Sequence, residues 1–235
     1  MMQILTRTIN QLARIIGGCV HCGGHGTASE FSTRLCLDCA DAVNLAPFRC
    51  STCAVPLATD DAQCLHCIQQ PPLYTRTDAF ADYSGTLQHL ILQYKFHNKL
   101  AYAPLLADLL THAWRNIEPP DVVIPVPQHD SMTRTRGFIP LEYIWQCMDN
   151  STRLNSRAVV RLHHAHLQVG ATALERRRQI KGAFAATADL TGLRVLLIDD
   201  VYTTGATLSE MAKICIAAGA AQINNLVIAR ARMGK

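Results

Sequence analysis

The sequence has no hydrophobic run long enough to cross a membrane, since no apolar stretch reaches the ~18 residues of a transmembrane helix. Its first sixteen residues also lack the continuous apolar core and the small-residue cleavage site of a secretory signal. Their apolar residues recur at near-helical spacing, as Ile4, Leu5, Ile9, Leu12, Ile15 and Ile16. This spacing predicts a short amphipathic helix that docks on the protein itself, with a membrane-surface helix as the alternative. We expect a cytoplasmic protein.

Two common phosphate-binding signatures are absent as well. No Gly-Lys-Ser/Thr triplet forms a Walker loop, and no G-x-G-x-x-G fingerprint opens a dinucleotide-binding helix. The net charge of +4 is too small to indicate nucleic-acid binding on its own. The basic residues are concentrated, however, with nine Arg or Lys against three Asp or Glu between positions 134 and 181. That excess favours an anionic ligand there, either a pyrophosphate or a nucleic-acid backbone.

Cysteine is abundant but confined to one region. Eight of the ten cysteines lie between positions 19 and 67 as four C-x-x-C pairs. A disulfide framework would need a secretory signal, whereas two such knuckles can complete a tetrahedral thiolate shell around Zn2+. The spacing predicts two structural zinc sites, and a cross-braced pairing of the knuckles fits it too. In sequential pairing the first site uses Cys19, Cys22, Cys36 and Cys39, and the second uses Cys50, Cys53, Cys64 and Cys67.

A strand-turn-helix pattern is the centre of the remaining sequence. Four apolar residues predict a buried parallel strand over 195–198, and Asp199 and Asp200 follow it. A turn of small residues then leads into a predicted helix over 208–218. Free backbone N–H groups and the helix dipole favour a phosphate at such a turn, and Gly205 allows a close approach. Because the upstream carboxylates suit hydroxyl groups or a hydroxyl-bound Mg2+, the stretch predicts a site for a ribose 5-phosphate.

Strands and helices alternate along this part of the chain, which predicts a parallel α/β sheet with ligands at the carboxyl ends of the strands. Further predicted strands cover 77–83, 121–127, 158–162 and 222–229, and predicted helices cover 86–97, 104–114 and 141–148. A Pro-containing linker at 69–73 separates these elements from the cysteines. We therefore expect residues 1–70 to form an N-terminal helix with a double zinc ribbon, and residues 71–235 to form the α/β domain.

The central pattern resembles the motif of type I phosphoribosyltransferases that binds phosphoribosyl pyrophosphate (PRPP). The motif is an apolar strand, Asp-Asp, an apolar pair and Thr-Thr-Gly-x-Thr, and every position is matched between residues 195 and 207. The resemblance implies that Asp199 and Asp200 hold the ribose hydroxyls. It also implies that the 5-phosphate is cradled by Thr203, Thr204, Gly205, Ala206 and Thr207.

The wider sequence resembles the ComF family of competence proteins, which join a double zinc ribbon to a phosphoribosyltransferase domain. The agreement covers Tyr94-Lys95-Phe96, Ile124-Pro-Val-Pro127 with Arg134-x-Arg136-Gly-Phe, Glu175-Arg-Arg-Arg178 with Lys181-Gly-Ala-Phe184, and Ala218-Gly-Ala220. Two departures lie on the expected pyrophosphate side. Ile139-Pro140 stands where the family has Asn-Gln, and Gln179 stands where it has Asn.

The family resemblance implies a Mg2+-dependent phosphoribosyltransferase that acts in DNA uptake during natural transformation. It implies structural Zn2+, Mg2+ bound with PRPP, and pyrophosphate contacts from Arg134, Arg136, Arg176 and Arg177, for which a solvated helix face is the alternative. Two other functions stay open: a non-enzymatic factor that binds single-stranded DNA or an uptake protein, and a regulator that senses PRPP without turnover. The residues do not identify the acceptor, a catalytic residue or the oligomeric state.

Overall fold

The computed structural model describes residues 18–60, 62–114, 118–128, 138–148, 152–162 and 180–232. The strands are β1 (Arg76–Asp82), β2 (Val122–Pro125), β3 (Val159–Arg161), β4 (Phe184–Ala186), β5 (Arg194–Tyr202) and β6 (Gln222–Arg230). The helices are α1 (Leu37–Asp41), α2 (Leu65–Gln69), α3 (Gly85–Phe96), α4 (Ala103–Trp114), α5 (Pro140–Cys147) and α6 (Ala206–Ala217), with a 3-10 turn at Leu100–Tyr102.

Four strands form a parallel sheet in the order β1-β6-β5-β2, which confirms the predicted parallel α/β fold. The two central strands are covered on both faces, which explains their apolar runs over residues 195–198 and 226–229. β5 is longer than predicted. It continues past Ile198 to Tyr202 because β6 keeps pairing with it, as Asp199 with Val227 and Tyr202 with Arg230. The two acids therefore lie within the strand, near its carboxyl end.

Helices cover the two faces of the sheet and create two hydrophobic cores. On one face α3, α4 and α5 pack on the strands, with Leu90, Leu106 and Ile144 among the buried side chains. On the other face α6 buries Met211 and Cys215. The predicted strand over 158–162 does not join the parallel sheet. It forms β3, which pairs antiparallel with β4 and packs against the second core.

The cysteine-rich residues enter both cores and are packed against the α/β part. Leu35, Cys36 and Val43 belong to the core with α3 and α4, whereas Cys53 and Cys67 belong to the core with α6. Two poorly exposed arginines also join the cysteine-rich segment to the α/β part. One is Arg34, which pairs with Asp108 of α4 at 2.8 Å, and another is Arg49, which pairs with Asp82 at the end of β1 at 2.8 Å. The cysteine-rich segment therefore contributes to the same hydrophobic cores as the sheet.

Candidate active site and cysteine clusters

The two acids of the motif lie side by side near the carboxyl end of β5. Asp200 is buried and pairs with Lys95 in the last turn of α3, with 2.5 Å between Asp200 Oδ2 and Lys95 Nζ. Asp199 is half-buried, and its Oδ1 accepts a hydrogen bond from the Asp200 amide at 2.8 Å. The fold thus places Lys95, which is far from the acid pair in the sequence, in direct contact with it.

Electrostatics make the acid pair a receptive site for a ligand. Burial raises the pKa of Asp199, the adjacent charge of Asp200 raises it further, and Lys95 opposes the rise. Neighbouring carboxylates with little access to water are costly unless cations or hydroxyl donors meet them. Lys95 supplies one positive charge. A ligand that presents hydroxyl groups or a bound Mg2+ fits the remaining oxygens.

Residues 203–207, here called the motif loop, connect β5 to the first turn of α6. Gly205 has φ 76° and ψ 2°, in the left-handed region, and it precedes the first helical residue. The hydroxyl oxygen of Thr204 accepts a hydrogen bond from the Ala206 amide at 3.4 Å. The first amides of an α-helix have no partner within the helix and lie at the positive end of its dipole. The motif loop is therefore suited to an anion.

Gly205 is also a position where a side chain does not fit. A Cβ atom placed on it would lie 2.5 Å from Cζ of Tyr202 and closer still to the Tyr202 hydroxyl. The motif loop is thus folded back against the ring of the residue that precedes it. Glycine satisfies both the positive φ and the close approach.

A buried arginine fastens the start of the motif loop. Arg230, at the end of β6, donates through Nη1 to the carbonyl oxygens of Tyr202 at 3.2 Å and Thr203 at 2.7 Å, and also to that of Ala231. Its Nε donates to the carbonyl oxygen of Cys53 at 2.8 Å. The guanidinium also lies over the Tyr202 ring, 4.3 Å from its centroid. Carbonyl oxygens and an aromatic face therefore stabilise this buried charge.

The cysteines form two groups that follow the order of the chain. The first cluster is Cys19, Cys22, Cys36 and Cys39, the second cluster is Cys50, Cys53, Cys64 and Cys67, and the Sγ atoms within each lie within 4.8 Å of one another. Pairs in the two clusters are separated by 3.8 Å and 3.7 Å. A tetrahedral zinc site with Zn–S bonds of about 2.3 Å has edges of roughly 3.8 Å. Both clusters fit such a site, and the grouping is the sequential one.

Backbone amides favour the thiolate form of one cysteine in each cluster. Burial opposes ionisation of Cys19, but amides that include those of Cys36 and Cys22 lower its pKa to about 6. Cys50 behaves alike, since amides that include that of Cys64 overcome burial and lower its pKa to about 7. Thiolates are the form that binds metal.

The described residues line two cavities, one of which includes part of the motif loop. A cavity of about 390 Å³ lies between the second cluster and α6, and His66, Tyr74, Lys181, Thr204 and Lys213 are among its lining residues. Another of about 360 Å³ lies at the end of β2, beside residues 125–128. Within the described ranges, no helix has the length and apolarity needed to cross a membrane.

The chain is similar in sequence, over most of its length, to two named bacterial proteins. DNA utilization protein YhgH of Salmonella typhimurium is 32% identical over 203 residues, which is 80% of this chain and 87% of the relative. Competence protein F of Haemophilus influenzae is 30% identical over 225 residues, which is 91% of this chain and 96% of the relative. The chain belongs to the ComF family. The predicted family is confirmed, and the two four-cysteine clusters fit its double zinc ribbon.

No protein-family model matches this ComF-family chain. A solved structure of glutamine PRPP amidotransferase from Bacillus subtilis overlaps 53% of the chain at 16% identity with a TM-score of 0.33. The ComF-family chain spans about a quarter of that enzyme, at 25% of its length.

The structure places the seven predicted PRPP-binding residues of this ComF-family protein at a single sheet edge. Asp199, Asp200 and the motif loop lie together there, and the cysteines form the two clusters. The amphipathic helix predicted for the first sixteen residues lies outside the described residues, as do Arg134, Arg136, Arg176 and Arg177.

Sequence reasoning missed three residues that shape the site. Lys95 was noted for its family resemblance but not as the partner of Asp200, and neither Tyr202 nor Arg230 was assigned a role. An arginine at the end of a buried strand could have indicated such a role, because a buried charge needs hydrogen-bond acceptors. Its acceptors lie in the motif loop and in a cysteine knuckle, which only the fold brings together.

Proposed function

We propose that this ComF-family protein binds PRPP with Mg2+ at the carboxyl end of β5 and acts in DNA uptake as a phosphoribosyltransferase-like protein. One observation carries the proposal: two adjacent, poorly exposed acids are followed, after two further strand residues, by a loop with a left-handed, helix-capping glycine. The loop offers backbone amides to a phosphate, and the acids offer oxygens to a diol or its metal. A ribose 5-phosphate carries both groups at a fixed separation.

Each part of PRPP has its own proposed contacts. Asp199 and Asp200 hold the ribose hydroxyls, and Mg2+ bound there with PRPP supplies further charge neutralisation. The 5-phosphate is bound by Thr203, Thr204, Gly205, Ala206 and Thr207. Lys95 lies against Asp200, so it limits repulsion between the acid pair and the phosphates. The cations proposed for the pyrophosphate are Arg134, Arg136, Arg176 and Arg177.

The proposed reaction is transfer of the phosphoribosyl group to an acceptor that the residues do not identify. Pyrophosphate leaves the anomeric carbon while positive charge develops on the ring, so the reaction needs alignment of the reactants and neutralisation of the leaving group. The cavity at the end of β2 lies beside Pro125 and Gln128, in the segment predicted to lead into the pyrophosphate loop. This position supports the assignment of that side of the site.

We further propose that both cysteine clusters hold Zn2+ and that the zinc is structural. Four thiolates fill a tetrahedral shell, which leaves no position for a substrate or a reactive water. Zinc held by eight thiolates needs a reducing compartment, so the cytoplasm is the proposed location.

Calorimetric titration with PRPP in the presence of Mg2+ tests the binding site. We expect wild-type protein to bind, and Asp199→Asn/Asp200→Asn to lose binding while still unfolding in one cooperative transition. Asp121→Asn is the control, since Asp121 pairs with Arg194 at the opposite, amino end of β5 and its loss should leave PRPP affinity unchanged. Equal affinity in the double variant and the wild type would contradict the site assignment.

A second function is favoured by the names of the relatives, DNA utilization protein and competence protein. In this alternative the chain binds single-stranded DNA or an uptake protein and is not an enzyme. DNA binding that weakens with salt and survives Asp199→Asn would support it. Release of pyrophosphate from PRPP in the absence of DNA would support the enzyme.

A further inference from the structure

We propose that the second cluster holds the motif loop in its binding conformation, and that Arg230 is the positioning residue that joins them. The inference rests on the proposed PRPP site and adds a dependence to it. The affinity of the motif loop for the 5-phosphate of PRPP then depends on metal in the second cluster and not on metal in the first. The argument depends on two connections between the cluster and the loop.

The first connection is the Arg230 guanidinium, which is almost fully buried at 2% exposure. One of its edges is anchored on a cysteine of the second cluster, since Nε donates to the Cys53 carbonyl oxygen at 2.8 Å. Its Nη1 donates to the Thr203 carbonyl oxygen at 2.7 Å, at the start of the motif loop. A planar guanidinium fixes the directions of these bonds relative to one another. A shift of the Cys53 carbonyl therefore acts on the loop through a rigid group.

The Cys53 carbonyl is positioned by the knuckle turn itself. The following residue, Ala54, has a left-handed φ of 55°, and its amide donates to the Cys50 carbonyl oxygen at 2.8 Å. The Ala54 carbonyl in turn accepts a hydrogen bond from Arg49 at 3.0 Å. A non-glycine residue keeps such a backbone conformation only where its surroundings enforce it. Closure of this turn on a metal brings Cys50 and Cys53 together, so the carbonyl direction depends on the metal.

The second connection is a pair of tyrosines. Tyr74 follows α2, which carries Cys67, and its hydroxyl lies 2.7 Å from that of Tyr202. Both rings are buried in the same core as Cys50, Cys53 and Cys67. Because the Tyr202 hydroxyl lies against Gly205, its partner on the cluster side also fixes the bend of the motif loop.

The first cluster is attached elsewhere and provides a built-in comparison. Its cysteines Cys19, Cys36 and Cys39 lie in the core on the opposite face of the sheet. The buried arginine beside it, Arg34, pairs with Asp108 of α4, not with the motif loop. Loss of metal there should therefore leave the loop in place.

Paired cysteine variants of the full-length protein test the inference. Hydrogen exchange of the peptide that contains residues 203–207 should rise in Cys64→Ser/Cys67→Ser and stay at the wild-type level in Cys36→Ser/Cys39→Ser, with zinc content measured in both. PRPP affinity with Mg2+ should fall only in the first variant. Equal exchange in the two variants, whether raised or unchanged, would overturn the inference.

Arginine variants keep all cysteines and separate the connection from unfolding. Arg230→Lys retains the charge but cannot reproduce the bonding fork, so we expect PRPP affinity to fall by about tenfold to a hundredfold, as when a supporting residue of a site is lost. Arg34→Lys, at a similarly buried arginine, should keep wild-type affinity. Unchanged exchange of the motif loop in Arg230→Lys would refute the role of Arg230. If wild-type protein does not bind PRPP, the proposed function fails, while the exchange measurement still decides whether the cluster controls the loop.

Discussion

Replacement of Gly205 by alanine tests how far the motif loop depends on a single missing side chain. The new methyl group would meet the Tyr202 ring, whose Cζ lies 2.5 Å from the ideal Cβ position. Alanine would also have to adopt φ 76°, in the left-handed region. Either the ring or the loop has to move, and the ring is held by Tyr74 and Arg230. We therefore expect the loop to move.

The expected cost has two parts. A left-handed conformation costs a non-glycine residue about 1–2 kcal/mol, and overpacking of a buried site adds about 1–3 kcal/mol. Gly205→Ala should therefore lower the free energy of unfolding by about 2–5 kcal/mol. Gly192 has φ 73° and no atom within 4 Å of an added Cβ, so Gly192→Ala isolates the backbone part, at about 1–2 kcal/mol.

A third glycine separates stability from binding. Gly219 follows the carboxyl end of α6, whereas the motif loop lies at its amino end. Its φ is 94°, and an added Cβ would lie 2.6 Å from the Thr191 hydroxyl oxygen. Gly219→Ala should destabilise the fold yet keep PRPP affinity, whereas Gly205→Ala should lose both. Denaturant unfolding and PRPP titration of the three variants provide the comparison. If Gly205→Ala is no more destabilised than Gly192→Ala, the proposed contact with Tyr202 is wrong.

Three further predictions concern charge and metal. Asp82 is buried and pairs with Arg49 at 2.8 Å and Arg232 at 2.9 Å, so Asp82→Asn should lower the free energy of unfolding by about 3–5 kcal/mol in denaturant. Asp78 pairs with the exposed Arg76, so Asp78→Asn should lower it by less than about 1 kcal/mol. The fold raises the pKa of Asp199, so ligand-free protein should lose stability as the pH rises above 3.8, the ordinary pKa of an aspartate. Asp199→Asn should therefore have a higher melting temperature than wild type at mildly alkaline pH, and the difference should vanish in acid. A difference in melting temperature that stays constant across pH would contradict this prediction. Chelation of zinc should expose residues 19–67 to protease, and undiminished resistance there would argue against structural metal.

Much of this fold could be read from local patterns. The strand-turn-helix motif and the C-x-x-C spacing each identify chemistry within a short window, and β6, α4 and the two clusters match their predicted positions closely. The patterns are local because a strand buried on both faces is apolar, and a tetrahedral thiolate site needs fixed ligand spacing. The PRPP assignment itself remains a prediction.

What could not be read from the sequence depends on long-range contact. The end of β5 was placed four residues too early because acids usually terminate a buried strand, whereas continued pairing with β6 extends this one to Tyr202. Tyr74 and Tyr202 are 128 residues apart in the sequence, and Arg34, which lies in a turn, pairs with Asp108 of α4. The linker at residues 69–73 suggested a boundary by its composition. It gave no indication that the cysteine-rich segment is packed into both cores.

The position of β6 has a consequence for how the protein is made. β6 is the last described strand, yet it lies between β1 and β5 and supplies every residue that pairs with β1. The ribosome therefore synthesises β1, both cysteine clusters and the motif loop before it synthesises β6. Until then β1 has an unpaired edge, and the carbonyls that Arg230 binds are without their donor. Completion of the sheet, and with it the site, waits until β6 has been synthesised.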